Sequence, residues 1–356
     1  MIDFTQFGLP VNFLLFAVAA VVVWSVGSRL AYYADAISRA TGIGQATIGI
    51  VLLAGVTSLP EIGVTATASL DGNAALAVNN LFGSIALQVA LLAIVDVFIG
   101  KDALTAVVPE PTVLLQGSLN VILISAAAAA MVVGDVNVLG VGLWSWGALL
   151  AYLACVRILS RAEGRKPWLA AEDGHVAHGL IEVQEEKTAA GRKSAPDLRS
   201  LLWRTAAAAA AILVAGYVLA ETGEAIAQQS GLGSSFVGFV LVALATSLPE
   251  LSTAVSAARR GLFTMAISDI LGTNLINVAL IFLVDLLDQG EPVIGRLGSF
   301  PVFGALLAVV LTALFQAGLA ERKDKSILRM GYDSLLVLIV YTGGVVLLYT
   351  LRDGGS

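Results

Sequence analysis

Charge is scarce in this sequence. Asp, Glu, Lys and Arg supply 13% of its 356 residues while 58% are hydrophobic, against the roughly 25% charged residues of an ordinary soluble domain. That balance excludes a water-soluble fold. Cysteine is almost absent as well: Cys155 stands alone, so no disulfide can form within the chain. Histidine occurs only at positions 175 and 178. No H-E-x-x-H motif exists, no apolar run contains a histidine, and the lone cysteine has no base near it in sequence. An intramembrane enzyme would therefore lack its chemistry. We expect no enzyme, no cofactor, no nucleic-acid partner and no obligatory protein partner.

What is present is a series of long charge-free runs, at 4–28, 111–134, 136–156, 225–249, 297–320 and 334–351. Each is near the roughly 20 residues that carry a helix across a bilayer. Adding the less uniform apolar stretches gives ten spans, at 10–33, 42–70, 73–98, 111–134, 137–159, 204–221, 231–258, 261–287, 297–319 and 333–351. All must be helical, because an open sheet would leave backbone groups unpaired in lipid. The first run begins without a basic segment and lacks a small-residue cleavage site, so it reads as a retained span. Placing both termini outside puts all of the 20 Lys and Arg residues except Arg296 and Arg352 on the cytoplasmic side, as the positive-inside rule requires. So compact a chain suits the plasma (inner) membrane of a prokaryote.

The strongest signal is internal. An offset of 189 residues sets 42–61, GIGQATIGIVLLAGVTSLPE, on 231–250, GLGSSFVGFVLVALATSLPE, with eleven of twenty positions identical. The match continues into the next span, setting Gly83 on Gly272, Ser84 on Thr273, Gln88 on Asn277 and Asp96 on Asp285. An odd number of crossings separates the copies, so they point in opposite directions. The expected architecture is an all-α integral membrane protein with ten transmembrane helices as two inverted five-helix repeats. Residues 1–159 form the first half with repeat 42–98, residues 160–203 a cytoplasmic linker, and residues 204–356 the second half with repeat 231–287. Inverted repeats are a transporter plan, with the substrate site near the membrane midplane where helices are broken.

Thr57-Ser58-Leu59-Pro60-Glu61 and Thr246-Ser247-Leu248-Pro249-Glu250 have the chemistry of such breaks. Proline lacks an N–H and displaces the carbonyl four residues back, freeing oxygens near 56–57 and 245–246. A membrane carboxylate costs several kcal/mol unless it is paired, protonated or bound to an ion, and no span carries Lys, Arg or His near its middle, where Glu61 and Glu250 sit. A metal ion or a proton is the remaining partner. Calcium takes 6 to 8 hard oxygens. Glu61, Glu250, the hydroxyls of Thr57, Ser58, Thr246 and Ser247, the freed carbonyls and the amides of Gln88 and Asn277 can supply them. Gly83 and Gly272 read as close-packing positions, which leaves Ser84 and Thr273 beside the site.

These residues resemble the calcium/cation antiporter superfamily, in particular its sodium/calcium exchanger branch. That family carries a G-T-S-x-P-E type motif followed by G-S-N-x-x-N/D. Here they stand as Val56 to Glu61 and Ala245 to Glu250, and as Gly83 to Gln88 and Gly272 to Asn277. The resemblance implies exchange of calcium for sodium or protons by alternating access, with the first and sixth helices moving across the rest. It implies Glu61 and Glu250 as principal calcium ligands and Thr57 and Thr246 as oxygen donors. Ser58, Ser84, Ser247 and Thr273 would line sodium sites, and Gln88 and Asn277 would face the centre.

Three positions depart from the pattern. Ile85 and Gln88 stand where the family has Asn, and Asn277 where sodium/calcium exchangers often have Asp. Two carboxylates give a site of charge −2, which one calcium or two protons neutralise. The T-S-L-P-E hydroxyls favour sodium coupling, Gln88 favours cation/proton exchange, and the coupling ion stays open between them. A cation channel is the alternative from another class, disfavoured because both glutamates come from one chain. His175 and His178, spaced to share a helical face with Glu182, read as a solvated loop and not as a metal site. The alanine run 206–211 suits close helix approach. Asp96 and Asp285 read as helix-end carboxylates at an interface, with a cation-attracting vestibule as the alternative. Glu110 reads as a loop residue.

Overall fold

The computed structural model describes residues 4–70, 72–98, 104–108, 111–162, 198–229, 236, 238–288, 291–321, 326–327 and 330–351. Glu110, His175, His178 and Glu182 lie outside them. The helices are α1 (Leu9–Thr41), α2 (Gln45–Thr57), α3 (Leu59–Leu70), α4 (Ala74–Val97), α5 (Thr112–Val133) and α6 (Leu143–Ala162), then α7 (Leu198–Gln229), α8 (Gly238–Thr246), α9 (Leu248–Arg259), α10 (Phe263–Leu287), α11 (Ser299–Glu321) and α12 (Tyr332–Leu351). Eight are long and apolar enough to cross a membrane singly. The pairs α2–α3 and α8–α9 bend by 46° and 49° at their junctions and, each counted as one span, bring the described residues to ten. The repeat runs far beyond the motif, because nearly every element of the first half recurs in the second at the same offset. The protein is an all-helical membrane protein of two inverted repeats.

Both bends fall where the prolines place them, at Pro60 and Pro249 in the first turns of α3 and α9. A feature the periodicity did not announce precedes each: α2 and α8 open into one π-helical turn, at Gly49–Leu53 and Gly238–Val242. Such bulges let a helix widen around a site. They also sit where another backbone comes close. A Cβ on Gly83 of α4 would run into the backbone of Phe239, and one on Gly272 of α10 would lie 2.9 Å from Ile50 Cα. Each central helix thus rests on the π turn of the opposite repeat, and the close-packing role read for both glycines holds. Gly83→Ala is expected to cost about 1–3 kcal/mol, the usual range for overpacking. Gly147→Ala in α6, with nothing within 4 Å of its Cβ, should be neutral or stabilising by up to about 1 kcal/mol. Thermal melting in detergent compares the two.

α4 and α10 form the centre. The apolar stretch of α4 is 94% buried and that of α10 72%, against 17% for α1 and α6 and 22% for α12. The peripheral helices turn residues such as Phe13, Leu14, Leu150, Ile339 and Val346 outward, an apolar belt suited to lipid. α1 and α7 pack along each other and each crosses a broken pair of the opposite half, α9 and α3 respectively. Gly27 of α1 meets Ser252 and Gly216 of α7 meets Pro60. Within the alanine run only Ala208 is buried, so most of it faces away from the neighbours that the sequence suggested.

Three boundaries move. α1 continues to Thr41 because its polar end leaves the apolar layer: Arg39 pairs with Asp35 at 2.9 Å, and Gly42 closes the helix at φ 75°. α7 likewise extends over 198–229 instead of 204–221. The fifth span starts at Leu143 and not at 137, because a two-residue hairpin, Asn137–Val138 on Val141–Gly142, precedes it. Its twin pairs Ser326–Ile327 with Met330–Gly331.

Candidate cation site

All ten side chains that the sequence marked, Thr57, Ser58, Glu61, Ser84, Gln88, Thr246, Ser247, Glu250, Thr273 and Asn277, are fully buried at 0% exposure. The fold brings them together from both halves. Glu61 of α3 lies near the Thr246 hydroxyl of α8, and Glu250 of α9 near that of Thr57 in α2. Yet among the described residues no donor reaches hydrogen-bonding geometry with any of their four carboxylate oxygens. Glu250 also feels the negative charge of Glu61. Two like charges, buried and without donors, are unfavourable by several kcal/mol each. A cation between them removes the cost.

The hydroxyls are set out by the same two-fold relation. Thr57 Oγ1 stands 3.5 Å from Thr273 Oγ1, and Ser84 Oγ 3.4 Å from Thr246 Oγ1. These separations are long for O–H···O bonds, which centre near 2.7–2.8 Å. They match adjacent oxygens around a cation bonded at about 2.4 Å, whose right-angle neighbours lie about 3.4 Å apart. The hydroxyl protons have other uses: Ser58 donates to Ala54 O at 2.6 Å, Thr57 to Leu53 O at 3.0 Å and Thr246 to Ala243 O at 3.3 Å. Bonding backward into the helix leaves the oxygen lone pairs free for an ion. Pro60 and Pro249 leave the carbonyls of Val56 and Ala245 without their helical donor.

The amides differ between halves. Gln88 Nε2 donates to Ser247 Oγ at 3.3 Å, leaving its Oε1 unpartnered. Asn277, one methylene shorter, has no partner for either amide atom. Sequence reasoning missed three further groups here. Asn80 and Asn274 are buried with both amide atoms unpartnered. Asp269 is a third carboxylate, in contact with Thr57 at 3.5 Å and, more closely, with Thr253. The charge of −2 drawn from the sequence therefore becomes −3. The signal for Asp269 was available: it is an acid inside the eighth span, well before Asp285, where the first repeat has Asn80. Among the described residues no three His, Cys, Asp or Glu side chains converge on one point, so any ion is held by hydroxyl, carbonyl and amide oxygens as much as by carboxylates.

Asp96 and Asp285 do not line a vestibule. Asp96 accepts from Leu104 N at 2.6 Å and Gly331 N at 2.7 Å, and Asp285 from Val293 N at 2.6 Å and Gly142 N at 2.9 Å. Each clips the hairpin of the opposite half, and both are buried.

A family model described as sodium/calcium exchanger protein matches residues 11–160 and 200–350, nearly the whole chain. The chain belongs to the sodium/calcium exchanger family. Among its relatives, the inner membrane protein YrbG of Escherichia coli is 28% identical to this exchanger over 76% of its chain and 78% of that protein. The putative antiporter CaxA of Alkalimonas amylolytica is 25% identical over 88% and 95%. The sodium/calcium exchanger MaX1 of Methanosarcina acetivorans is 31% identical over a shorter stretch, 37% and 38%. The fold of this exchanger is that of the sodium-calcium exchanger NCX_Mj, with a TM-score of 0.68 at 17% identity over 95% of this chain and 99% of that one. The protein is thus a multi-pass membrane cation antiporter, a transporter and not an enzyme by family.

Proposed function

We propose that this protein exchanges calcium for sodium across the membrane by alternating access. Glu61 and Glu250 hold calcium between the two repeats, with Thr57 and Thr246 beside them. Ser58, Ser84, Ser247 and Thr273 line sodium positions, and Gln88 and Asn277 face the centre. The transported ions are the only metals involved, and the 160–203 segment and the basic loops face the cytoplasm. The observation that carries the reading is the pair of fully buried glutamates, without a donor among the described residues, facing hydroxyls of the opposite repeat. Inverted repeats that pack α1 and α7 across each other's broken helices supply a means of exposing the site to one side at a time.

Sodium is favoured over protons by the ligands. With Asp269 the site carries up to −3, which three monovalent ions of either kind neutralise, but its hydroxyl pairs are ligands a proton would not need. Proton-coupled calcium exchange is the second reading, supported by Gln88 in place of the family's Asn. In liposomes bearing the purified protein, radiolabelled calcium uptake is expected under an outward sodium gradient and not under an outward proton gradient of equal size. Uptake driven only by protons would replace sodium with the second reading, and no uptake under either gradient would overturn calcium as the substrate.

A further inference from the structure

The two repeats agree at the glutamates and hydroxyls but disagree one helical turn away. Asp269 of α10 occupies the position that Asn80 holds in α4, and Thr253 of α9 the position that Val64 holds in α3. These two departures touch each other, since the Thr253 hydroxyl donates to Asp269 Oδ2 at close range. In the first repeat the matching pair is an amide with both atoms unpartnered and a valine packed against Val242. A hydrogen-bonded acid has therefore been added on one side of the site only.

Its orientation is specific. Thr253 has one hydroxyl proton and three acceptors in reach, Pro249 O at 3.2 Å, Glu250 O at 3.0 Å and the closer Asp269 Oδ2. The nearest, charged acceptor takes it, which anchors Oδ2 and turns Oδ1 inward to Thr57 Oγ1 at 3.5 Å. The Thr57 proton is claimed by Leu53 O at 3.0 Å, and the Thr273 hydroxyl donates to the Asp269 carbonyl at 3.2 Å. Asp269 Oδ1, Thr57 Oγ1 and Thr273 Oγ1 thus present lone pairs to one another, successive atoms 3.5 Å apart. The Glu250 carboxylate, fully buried and with neither oxygen bonded, adjoins the same group. The backbone around it is held as well: Gln116 and Asn120 of α5 donate to Ser268 O and Leu271 O at 3.0 Å each, where α11 has Ala305 and Val309 at the repeated positions.

We propose that Asp269, with the hydroxyls of Thr57 and Thr273 and positioned by Thr253, forms a monovalent-cation subsite present in only one of the two repeats, which takes one of the counter-transported sodium ions. One carboxylate with neutral oxygens balances a single positive charge. The three acids do not converge on one point, so Asp269 serves an ion separate from the one between Glu61 and Glu250. The symmetry-related position by Ser84 and Thr246 is left neutral, and the two faces of the site hold sodium unequally.

This inference rests on the sodium-coupled reading, and one assay separates their failures. Initial rates of calcium exchange are measured in proteoliposomes against sodium and against calcium for wild type, Asp269→Asn, Thr253→Val and Thr253→Ser. Asp269→Asn is expected to raise half-saturating sodium about tenfold or more and to lower the sodium Hill coefficient by about one, while half-saturating calcium moves less than about threefold, because the lost charge faces a different ion. Thr253→Val should shift sodium in the same direction by a smaller factor, and Thr253→Ser should restore it, which a packing effect of the methyl group would not do. Equal shifts for both ions, or no shift in sodium, overturn the subsite. Should Asp269→Asn not fold, the Thr253 pair decides by the same criterion. A wild type indifferent to sodium overturns the sodium reading itself.

Discussion

Glu61→Gln and Glu250→Gln are each expected to reduce calcium exchange about a hundredfold or more, a loss of about 2.8 kcal/mol of ion binding at 1.4 kcal/mol per tenfold. Glutamine keeps the shape and one neutral oxygen but removes a full charge from a buried site, where no described donor bonds that charge. The effect on stability should have the opposite sign. Without calcium or sodium, the wild type holds an unpaired buried carboxylate that costs several kcal/mol, so either variant should melt at the same temperature or higher. With calcium at a hundred times its dissociation constant, the wild type gains about 2.7 kcal/mol by linkage, and the variants should gain far less. Initial uptake rates in proteoliposomes and melting curves with and without calcium test both halves. A variant that transports at the wild-type rate would remove its glutamate from the ion path.

What the sequence made legible was whatever both repeats share. Thr57 to Glu61 and Thr246 to Glu250 are identical words in one chain, so the broken helices, the buried glutamates and the facing hydroxyls could all be placed from the sequence. What escaped was whatever the repeats do not share or what is carried by the backbone. Asp269 escaped because it stands on Asn80, so agreement between the repeats does not mark it. The π turns at Gly49–Leu53 and Gly238–Val242 escaped because one extra residue in a turn leaves an all-apolar run unchanged. The ends of α1 and α7 escaped because hydropathy measures the membrane and not the helix, and both helices continue past the charged residues at the ends of their apolar runs. The hairpins escaped because two-residue strands have no period to detect.

Asp96 and Asp285 show the converse, residues that were seen but whose role only the fold could assign. Asp96→Ala or Asp285→Ala is expected to lower stability by about 2–6 kcal/mol, since each strips two buried backbone N–H groups of their acceptor at about 1–3 kcal/mol apiece. The partners explain why the effect should be global. Leu104 and Val293 follow each aspartate by eight residues, whereas Gly331 and Gly142 belong to the other half. Losing one acid therefore frees a local turn and a hairpin of the opposite repeat together. Asp96→Asn keeps one acceptor oxygen and presents an N–H donor to the other amide, so it should cost less than alanine but more than nothing. Melting temperatures in detergent order the three proteins, wild type above asparagine above alanine. The rates decide between a clip and a vestibule. A clip leaves half-saturating calcium near its wild-type value in whatever fraction stays folded. A vestibule carboxylate would instead raise half-saturating calcium with melting unchanged, and more strongly at low salt, because attraction of ions from solution is screened within about 10 Å at 0.1 M. Both acids are buried with every carboxylate oxygen bonded to backbone, leaving little for a passing cation to use.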